Sequence, residues 1–558
     1  MRKPLFLLFG AAALFAADYV AEGDLWWAHI QFLADDKLQG RDVGSDGYRE
    51  AVKYVAGKME TYGLKPAGTD GYLQNVTFEV RQLIDDQSSL ALVRNGEATP
   101  LERADASMSA RADLAPALEA PMVFVGYGLR IPEAKYDELA GIELHGKIAV
   151  YVNTPGPVDT TGPVKSHFGS STERWNTLQA AGAVGSASIT IPRAGARGGP
   201  PPDDPNAPAA DDAAGGGRGR GGQGGRGGAG GPGAGGGRGP QRSFLLADTT
   251  LQESSGQKLA ITITRRGGEK FFEGSGHTFD EIFKLAQENR PLPKFPLIGT
   301  LRSKTAVRRE TVEAPNVAGV LEGSDPGLKN EYVIMSAHLD HVGVGRPING
   351  DNIYNGAMDD ASGIASVLEI ARLMKESGIK PKRSVIFLAV AAEEKGELGS
   401  RYFAMRPTVD KKSIVADINL DMFMPLFALK YLEVQGLAES TLGDDIREIA
   451  KAAGVEVQVD KEPEQNRFIR SDQYSFIRNG VPSLAFKFGY VFGTPEDKIF
   501  HDWIRDRYHK PSDDLNQPVD KAAAAQFNHI IANLLEKVAD APTRPRWKDD
   551  SFFKRFAR

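Results

Sequence analysis

The sequence predicts an α/β protein with a mostly parallel central sheet that is flanked by helices. In the second half of the chain, apolar runs of strand length alternate with segments whose apolar residues follow helical spacing. Two of these runs, YVIMSA from Tyr332 and SVIFLAVAA from Ser384, are apolar almost throughout, which is typical of strands that are buried on both faces. Such strands, separated by amphipathic helices, indicate a sheet with helices on both sides.

Length and composition narrow the function classes. With 558 residues, 41% of them hydrophobic, the chain has room for a large core and for more than one domain. The formal net charge of -6 gives no support for nucleic acid binding. The sequence contains no cysteine, so disulfides do not stabilise the fold, and a bound metal must take nitrogen and oxygen ligands.

Residues 1–17 have the features of a secretory signal peptide. Arg2 and Lys3 precede an apolar run that begins at Leu5, and Asp18 ends this run. We expect cleavage near residue 16 or 17 and a mature protein that is secreted or periplasmic; a buried first helix is the alternative. No apolar run in the mature region is long enough to span a bilayer, so no stable membrane span is expected after cleavage.

Changes in composition predict the domain organisation. Residues 18–115 are expected to begin the main domain, which continues over 271–545. Residues 116–270 contain short β-rich runs separated by turns, so we expect a β-rich insert there. An aromatic and basic tail, residues 546–558, follows the main domain and is expected to dock on the body of the protein or on a partner.

Within the insert, residues 194–242 are rich in glycine, proline, alanine and arginine. Such a segment buries too little apolar surface to order itself, so we expect a disordered surface loop. RNA binding by its arginine–glycine pieces is a weaker alternative. Near the start of the main domain, the turn Gly40–Arg41 can reach a site, but a solvent-exposed arginine is favoured.

Polar side chains collect where predicted strands end or where a helix begins. In an open parallel sheet, functional groups meet just beyond the carboxyl ends of the strands. Carboxylates and a histidine delivered there predict a metal site. The residues at these positions are His338, Asp340, Asp359, Asp360, Glu393, Glu394 and Asp421.

Several of these residues have a structural alternative. Asp359 and Asp360 can both cap the helix that follows, although two adjacent aspartates leave one free to bind metal. Glu393 and Glu394 can form a solvated charge pair. Because neighbouring side chains diverge in extended backbone, one of them can instead bind metal while the other takes a proton from water.

The histidines differ in their sequence context. Asp340 follows His338 by two residues, and a carboxylate on the second ring nitrogen is common for a metal-bound histidine. His509 lies in the polar loop DRYHKPSDD, where an exposed histidine without a function is the alternative. His341 and His501 are expected to have no role in the site.

Five motifs in order carry a family resemblance: H-x-D, G-A-x-D-D-A-S-G, A-E-E-x-G-x-x-G-S, N-x-D-M and Y-H-x-x-x-D. Together they resemble the dizinc aminopeptidase family, which includes bacterial leucyl aminopeptidases, aminopeptidase Y and glutamate carboxypeptidase. The opening LQGRDVGSDGYREAVKYV is also similar to these exopeptidases, and the β-rich insert resembles the protease-associated domain that many members carry. The resemblance therefore implies a zinc exopeptidase fold with this domain inserted.

The resemblance also implies roles for individual residues. Two zinc ions per chain are expected, with Asp359 shared between them and its peptide bond to Asp360 in the cis form. Asp340 is expected to orient its histidine, Glu393 to act as the general base, and Tyr508 to donate a hydrogen bond to the oxyanion. The implied metal ligands are His338, Asp359, Glu394, Asp421 and His509. One departure is Gln473, where relatives often have histidine.

The implied function is a secreted zinc-dependent aminopeptidase that removes N-terminal residues from peptides. A carboxypeptidase of the glutamate carboxypeptidase type is the main alternative, although the sequence places no basic cluster in the pocket. A glutaminyl cyclase and a non-catalytic metal-binding receptor or scaffold remain as further alternatives. The substrate preference and the oligomeric state do not follow from the sequence.

Overall fold

A computed structural model of the protein describes residues 18–191 and 242–557. The predicted signal peptide lies outside the described residues, as does nearly all of the predicted glycine-rich loop. The described chain is organised around two large β-sheets, one of nine strands and one of eight. Each sheet has its own hydrophobic core.

The nine-stranded sheet forms the main domain. In spatial order its strands are Lys65–Pro66, Asn316–Leu321, Ser384–Val390, Tyr332–His338, Ile414–Asn419, Ser483–Gly489, Tyr431–Gln435 and Glu456–Gln458, with Leu73–Gln74 paired beside Asn316–Leu321. Successive residues of the strand Tyr332–His338 are buried in different cores, since Val333 and Met335 belong to one and Ile334 to the other. This double burial explains the continuous apolar runs.

Strand direction is mixed in this sheet. The four strands at its centre, from Ser384–Val390 to Ser483–Gly489, are parallel. Asn316–Leu321 and Tyr431–Gln435 join them on either side in antiparallel register. The predicted α/β class is confirmed, but parallel pairing dominates only at the centre, because an apolar run records burial and not direction.

Helices cover both faces of the sheet. Trp26 connects the first helix, Tyr19–Leu33, to the helix Ser362–Glu376, because its Nε1 donates to Ser362 O at 3.1 Å and to Ser366 Oγ at 3.0 Å. No helix among residues 18–191 and 242–557 is long and apolar enough to cross a membrane. The helices of the main domain are Tyr19–Leu33, Asp46–Thr61, Ser362–Glu376, Leu398–Met405, Leu442–Ala452, Gln473–Ile477, Pro495–Asp506 and Lys521–Asp540.

The eight-stranded sheet contains the predicted β-rich insert and extends beyond residues 116–270 on both sides. In spatial order its strands are Glu97–Leu101, Ser89–Arg94, Phe295–Lys304, Ala117–Phe124, Ile148–Val152, Gly185–Ile189, Leu259–Ile263 and Ala106–Met108. Its helices are Gly162–Gly169, Ser171–Ala180, Arg265–Phe272 and Phe279–Gln287. The flanking hairpin Ser89–Arg94 with Glu97–Leu101 joins the sheet through Phe295–Lys304, where Leu92 pairs with Leu301, so local patterns do not predict its place. The assignment as a protease-associated domain stays a prediction.

Three smaller sheets complete the described fold. One contains Arg242–Leu246, Thr77–Leu83 and Val307–Glu313. The others are the hairpins Gly343–Ile348 with Asp351–Tyr354 and Arg130–Ile131 with Tyr136–Asp137.

The aromatic tail docks on the body of the protein. Trp547 and Phe553 pack in a small core with Ile477 of the main domain. Phe552 lies against His167 of the eight-stranded part, with ring centroids 5.3 Å apart. The tail therefore contacts both parts of the molecule, which is one of the two outcomes expected from its sequence.

Candidate metal centre

The predicted ligand residues meet at one edge of the nine-stranded sheet. His338 is the last residue of its strand, and Asp421 follows the neighbouring strand by two residues. Glu394 follows a third parallel strand, Ser384–Val390, by four residues. Asp359 precedes the helix Ser362–Glu376, and His509 lies in the turn after the helix Pro495–Asp506. The carboxyl ends of parallel strands thus bring together residues that are distant in sequence.

Two groups of side chains converge on Asp359. On one side, His338 Nε2 lies 3.2 Å from Asp359 Oδ1 and 3.6 Å from Asp421 Oδ1. On the other, His509 Nε2 lies 3.1 Å from Asp359 Oδ2 and 3.3 Å from Glu394 Oε2. The two oxygens of Asp359 therefore face different groups. We call the side of His338 and Asp421 the first position and the side of Glu394 and His509 the second position.

These residues fit a pair of divalent metal ions. Nitrogen and oxygen ligands of tetrahedral zinc, at about 2.0–2.2 Å from the metal, lie about 3.3 Å from each other. Asp359 Oδ2, Glu394 Oε1 and Asp421 Oδ1 are buried and accept no well-aligned hydrogen bond from the described residues. Buried carboxylates without a partner are costly, so a bound cation is the natural complement of this site.

Asp360 has a different role from its neighbour. Its carboxylate accepts hydrogen bonds from the backbone N–H groups of His338, Gly363 and Met422, at 3.2, 2.9 and 3.2 Å. The bond to Gly363 caps the start of the following helix, which was the structural alternative for this pair. The peptide bond between Asp359 and Asp360 is cis, as the resemblance implied. Asp360 therefore holds three segments together while Asp359 faces the metal positions.

Asp340 does not contact the imidazole as expected. His338 Nδ1 lies 3.0 Å from the backbone oxygen of Asp340, and not from its carboxylate. The carboxylate instead accepts the backbone N–H of Glu393 at 3.1 Å. Burial raises the pKa of Asp340 to about 6. The expected contact of the Asp340 carboxylate with the imidazole is wrong, because the backbone oxygen of Asp340 takes that place. The carboxylate is therefore free to hold the loop that begins near Glu393.

Glu393 and Tyr508 lie beside the two positions. Burial, together with the negative charge of Asp421, holds the pKa of the Glu393 carboxyl well above its usual range. Burial also raises the pKa of Tyr508 well above its usual value, so its hydroxyl keeps its proton. The Tyr508 ring stacks on His509 with centroids 3.9 Å apart. One group is thus suited to accept a proton and the other to donate a hydrogen bond.

Arg41 is buried beside the site, so the favoured prediction of a solvent-exposed arginine is wrong and the alternative, a turn that reaches the site, is confirmed. Its guanidinium donates over 2.6–3.0 Å to the backbone oxygens of Leu33, Leu339, Asn355 and Gly356. Three of these carbonyls, those of Leu339, Asn355 and Gly356, belong to the segments that carry His338 and Asp359. The sequence signal was the glycine that precedes Arg41. Gly40 has a φ of +68° and lies so close to Tyr354 O that no side chain fits there.

His341 was expected to have no role, but it lies in the site. Its Nδ1 is 2.8 Å from Glu394 Oε1 and 3.9 Å from Asp359 Oδ2. Gln473 belongs to neither the first nor the second position, and its Oε1 accepts a hydrogen bond from Asn419 Nδ2 at 2.7 Å. His501 also lies outside the clusters, beside Asp497 and Glu462.

The mixed α/β fold thus carries a candidate metal centre in which two groups of side chains face each other across Asp359. Residues 316–535 match the model of peptidase family M28. This match agrees with the family resemblance that the five motifs predicted.

Relatives and solved structures agree with this placement. The chain is 27% identical over 265 residues to a probable zinc metalloprotease of Pyrenophora tritici-repentis, covering 42% of this chain and 59% of that protein. It is 31% identical over 182 residues to a probable leucine aminopeptidase 2 of Aspergillus oryzae, covering 32% of this chain and 34% of that protein. The chain thus spans less than two thirds of either relative.

A solved aminopeptidase from Aneurinibacillus sp. strain AM-1 has a similar fold. It matches with a TM-score of 0.50 and 18% identity, over 94% of both chains. At this identity the likeness concerns the fold alone.

Proposed function

We propose that the protein is a secreted, zinc-dependent aminopeptidase that hydrolyses the first peptide bond of peptides with a free N-terminus. The observation that carries this proposal is the position of Asp359, whose two oxygens face His338 on one side and His509 on the other. A carboxylate shared in this way is suited to two metal ions that act on one substrate.

The proposed ligand sets follow from these contacts. His338 and Asp421 would hold a zinc ion at the first position, Glu394 and His509 one at the second, and Asp359 would contribute to both. Two zinc ions held together would lower the pKa of a shared water towards neutrality and polarise the substrate carbonyl.

Glu393 is proposed as the general base. Its raised pKa favours proton uptake from the attacking water, and the proton can then pass to the amine that leaves. The N–H of Glu393 is held by Asp340, which fixes the start of this loop. Tyr508, as a neutral phenol, would donate a hydrogen bond to the oxyanion of the tetrahedral intermediate. A free substrate amine would lie against the carboxylates around the metal positions.

A carboxypeptidase is the second candidate. Arg470, which donates to Gln465 O at 3.1 Å, is a cation whose charge acts on Tyr508 and opposes the rise in the pKa of that phenol. An arginine beside the site can hold the terminal carboxylate of a peptide. A non-catalytic receptor is less favoured, because the ligands and the base implied by the resemblance converge at one site.

The test is mass spectrometry of a peptide mixture, half of it N-acetylated, incubated with the mature protein. We expect residues to be lost from free N-termini alone, and a chelator to abolish the cleavage. Loss from C-termini regardless of acetylation would replace the proposal by the carboxypeptidase. Absence of cleavage by zinc-loaded protein would favour a binding function. Sequencing the N-terminus of exported protein tests secretion, which predicts a start near residue 17 or 18.

A further inference from the structure

His341 is a fixed, buried imidazole at the second position. Its backbone N–H donates to the carbonyl of Arg41 at 3.4 Å, which joins the loop after the strand Tyr332–His338 to the N-terminal segment of the main domain. A Cβ at Gly356 would come within 2.5 Å of the His341 ring, so the facing loop closes directly onto the imidazole. The ring is fully buried. These contacts leave it little freedom to turn away from the site.

The nitrogens of this ring have no conventional partner. Neither Nδ1 nor Nε2 makes a well-aligned hydrogen bond with any residue in the described part of the chain. Nδ1 nevertheless points at two carboxylates, at 2.8 Å from Glu394 Oε1 and 3.9 Å from Asp359 Oδ2. A buried imidazole that lies among ligand atoms and makes no aligned hydrogen bond is suited to bind a metal ion.

Glu394 lies between two imidazoles that use different oxygens. His509 Nε2 faces Oε2 at 3.3 Å, whereas His341 Nδ1 faces Oε1 at 2.8 Å. The two rings meet edge to face, with centroids 5.7 Å apart and planes at 69°. They therefore approach the same carboxylate from separate directions, as separate ligands of one metal ion would.

We infer that His341 is an additional ligand of the second metal position and makes it the position that binds zinc first. This inference rests on the proposed zinc site. The second position then has two imidazoles and two carboxylates, whereas the first has one imidazole, that of His338, and two carboxylates. Imidazole is a strong zinc ligand, so the richer set binds more tightly.

The alternative is that His341 donates a hydrogen bond to Glu394 and never touches the metal. His341→Asn separates the two roles, because its amide nitrogen can replace Nδ1 as a donor but cannot replace an imidazole as a ligand. If the ring is a ligand, the variant loses the tighter zinc step. If it is a hydrogen-bond donor, zinc affinity stays close to that of the wild type.

The experiment is a zinc titration of full-length mature protein stripped with a chelator, in competition with a chromophoric chelator. The wild type should bind zinc in two steps, and His341→Asn should weaken the tighter step by about tenfold or more. His501→Asn is the matched control, since that ring lies beside Asp497 and Glu462 outside the cluster. It should leave both steps unchanged. Two wild-type affinities in a folded His341→Asn would overturn the inference.

A second measurement does not depend on any variant. X-ray absorption at the zinc edge of wild-type protein loaded with one equivalent should detect two imidazoles around the metal. One imidazole would overturn the inference. Because neither readout involves peptide cleavage, these outcomes are separate from failure of the proposed function, which would appear as intact peptides with zinc-loaded wild type.

Discussion

Replacing Arg41 by methionine tests whether a buried arginine holds the metal loops in place. The variant keeps most of the side-chain length but removes the charge and every donor. The four carbonyls that now accept from the guanidinium would lose their partner. Three of these carbonyls lie in the segments that carry His338 and Asp359, so both protein stability and zinc affinity should respond.

The size of the effect follows from the contacts. A hydrogen bond from a charged donor contributes about 1.5–3 kcal/mol, so four contribute about 6–12 kcal/mol. The variant also removes the free-energy cost of burying the charged guanidinium. This desolvation lowers the pKa of Arg41 to about 10 in the folded wild type. After this offset we expect a loss of about 3–5 kcal/mol in the free energy of unfolding. Zinc affinity should fall about 10–100-fold, as for residues that orient ligands.

The assay is chemical denaturation of chelator-treated protein, followed by zinc competition. Arg41→Lys keeps the charge but has fewer and differently directed donors, so its loss should lie between wild type and Arg41→Met. Arg49→Met is the control, because Arg49 is an exposed residue of the helix Asp46–Thr61 and should change stability by no more than about 0.5 kcal/mol. If Arg41→Met matched the control in both stability and zinc affinity, Arg41 would not hold the metal loops in place.

Three further predictions concern the proposed base, the shared carboxylate and the buried His167. Glu393→Gln should keep both metals but lose about 10²–10⁴-fold in turnover, measured on a peptide with metal content in parallel; wild-type turnover would exclude the base assignment. Asp359→Ala should lose metal by mass spectrometry, and two zincs per chain in that variant would rule out a shared ligand. Burial lowers the pKa of His167 to about 3 in the folded protein. Between this pKa and the ordinary histidine pKa of about 6.5, the His167 imidazole binds a proton only in the unfolded chain. Stability is then complete above that value and should fall by about 2 kcal/mol from pH 7 to pH 5. His167→Gln should reduce this slope, and His277→Gln, at a half-buried histidine, should not; equal slopes in both variants would contradict the argument.

Much of the main domain could be predicted from local pattern. Runs such as SVIFLAVAA are apolar because both faces of the strand are covered, so the sequence records their burial directly. The rule that functional groups gather beyond the carboxyl ends of parallel strands then places His338, Glu394 and Asp421 together. The helix after Asp359 and the final helix, Lys521–Asp540, were also predictable from their periodicity.

What the sequence by itself determined was therefore the class of fold and the groups that face the metal positions. Tertiary structure alone decided strand direction at the sheet edges, the extent of the second sheet and the partner of Asp340. It also decided that Arg41 is buried and that His341 faces Glu394. The physical reason is distance along the chain: Arg41 donates to Leu339, 298 residues away. Periodicity reports which side of an element is covered, but it carries no information about which distant segment covers it.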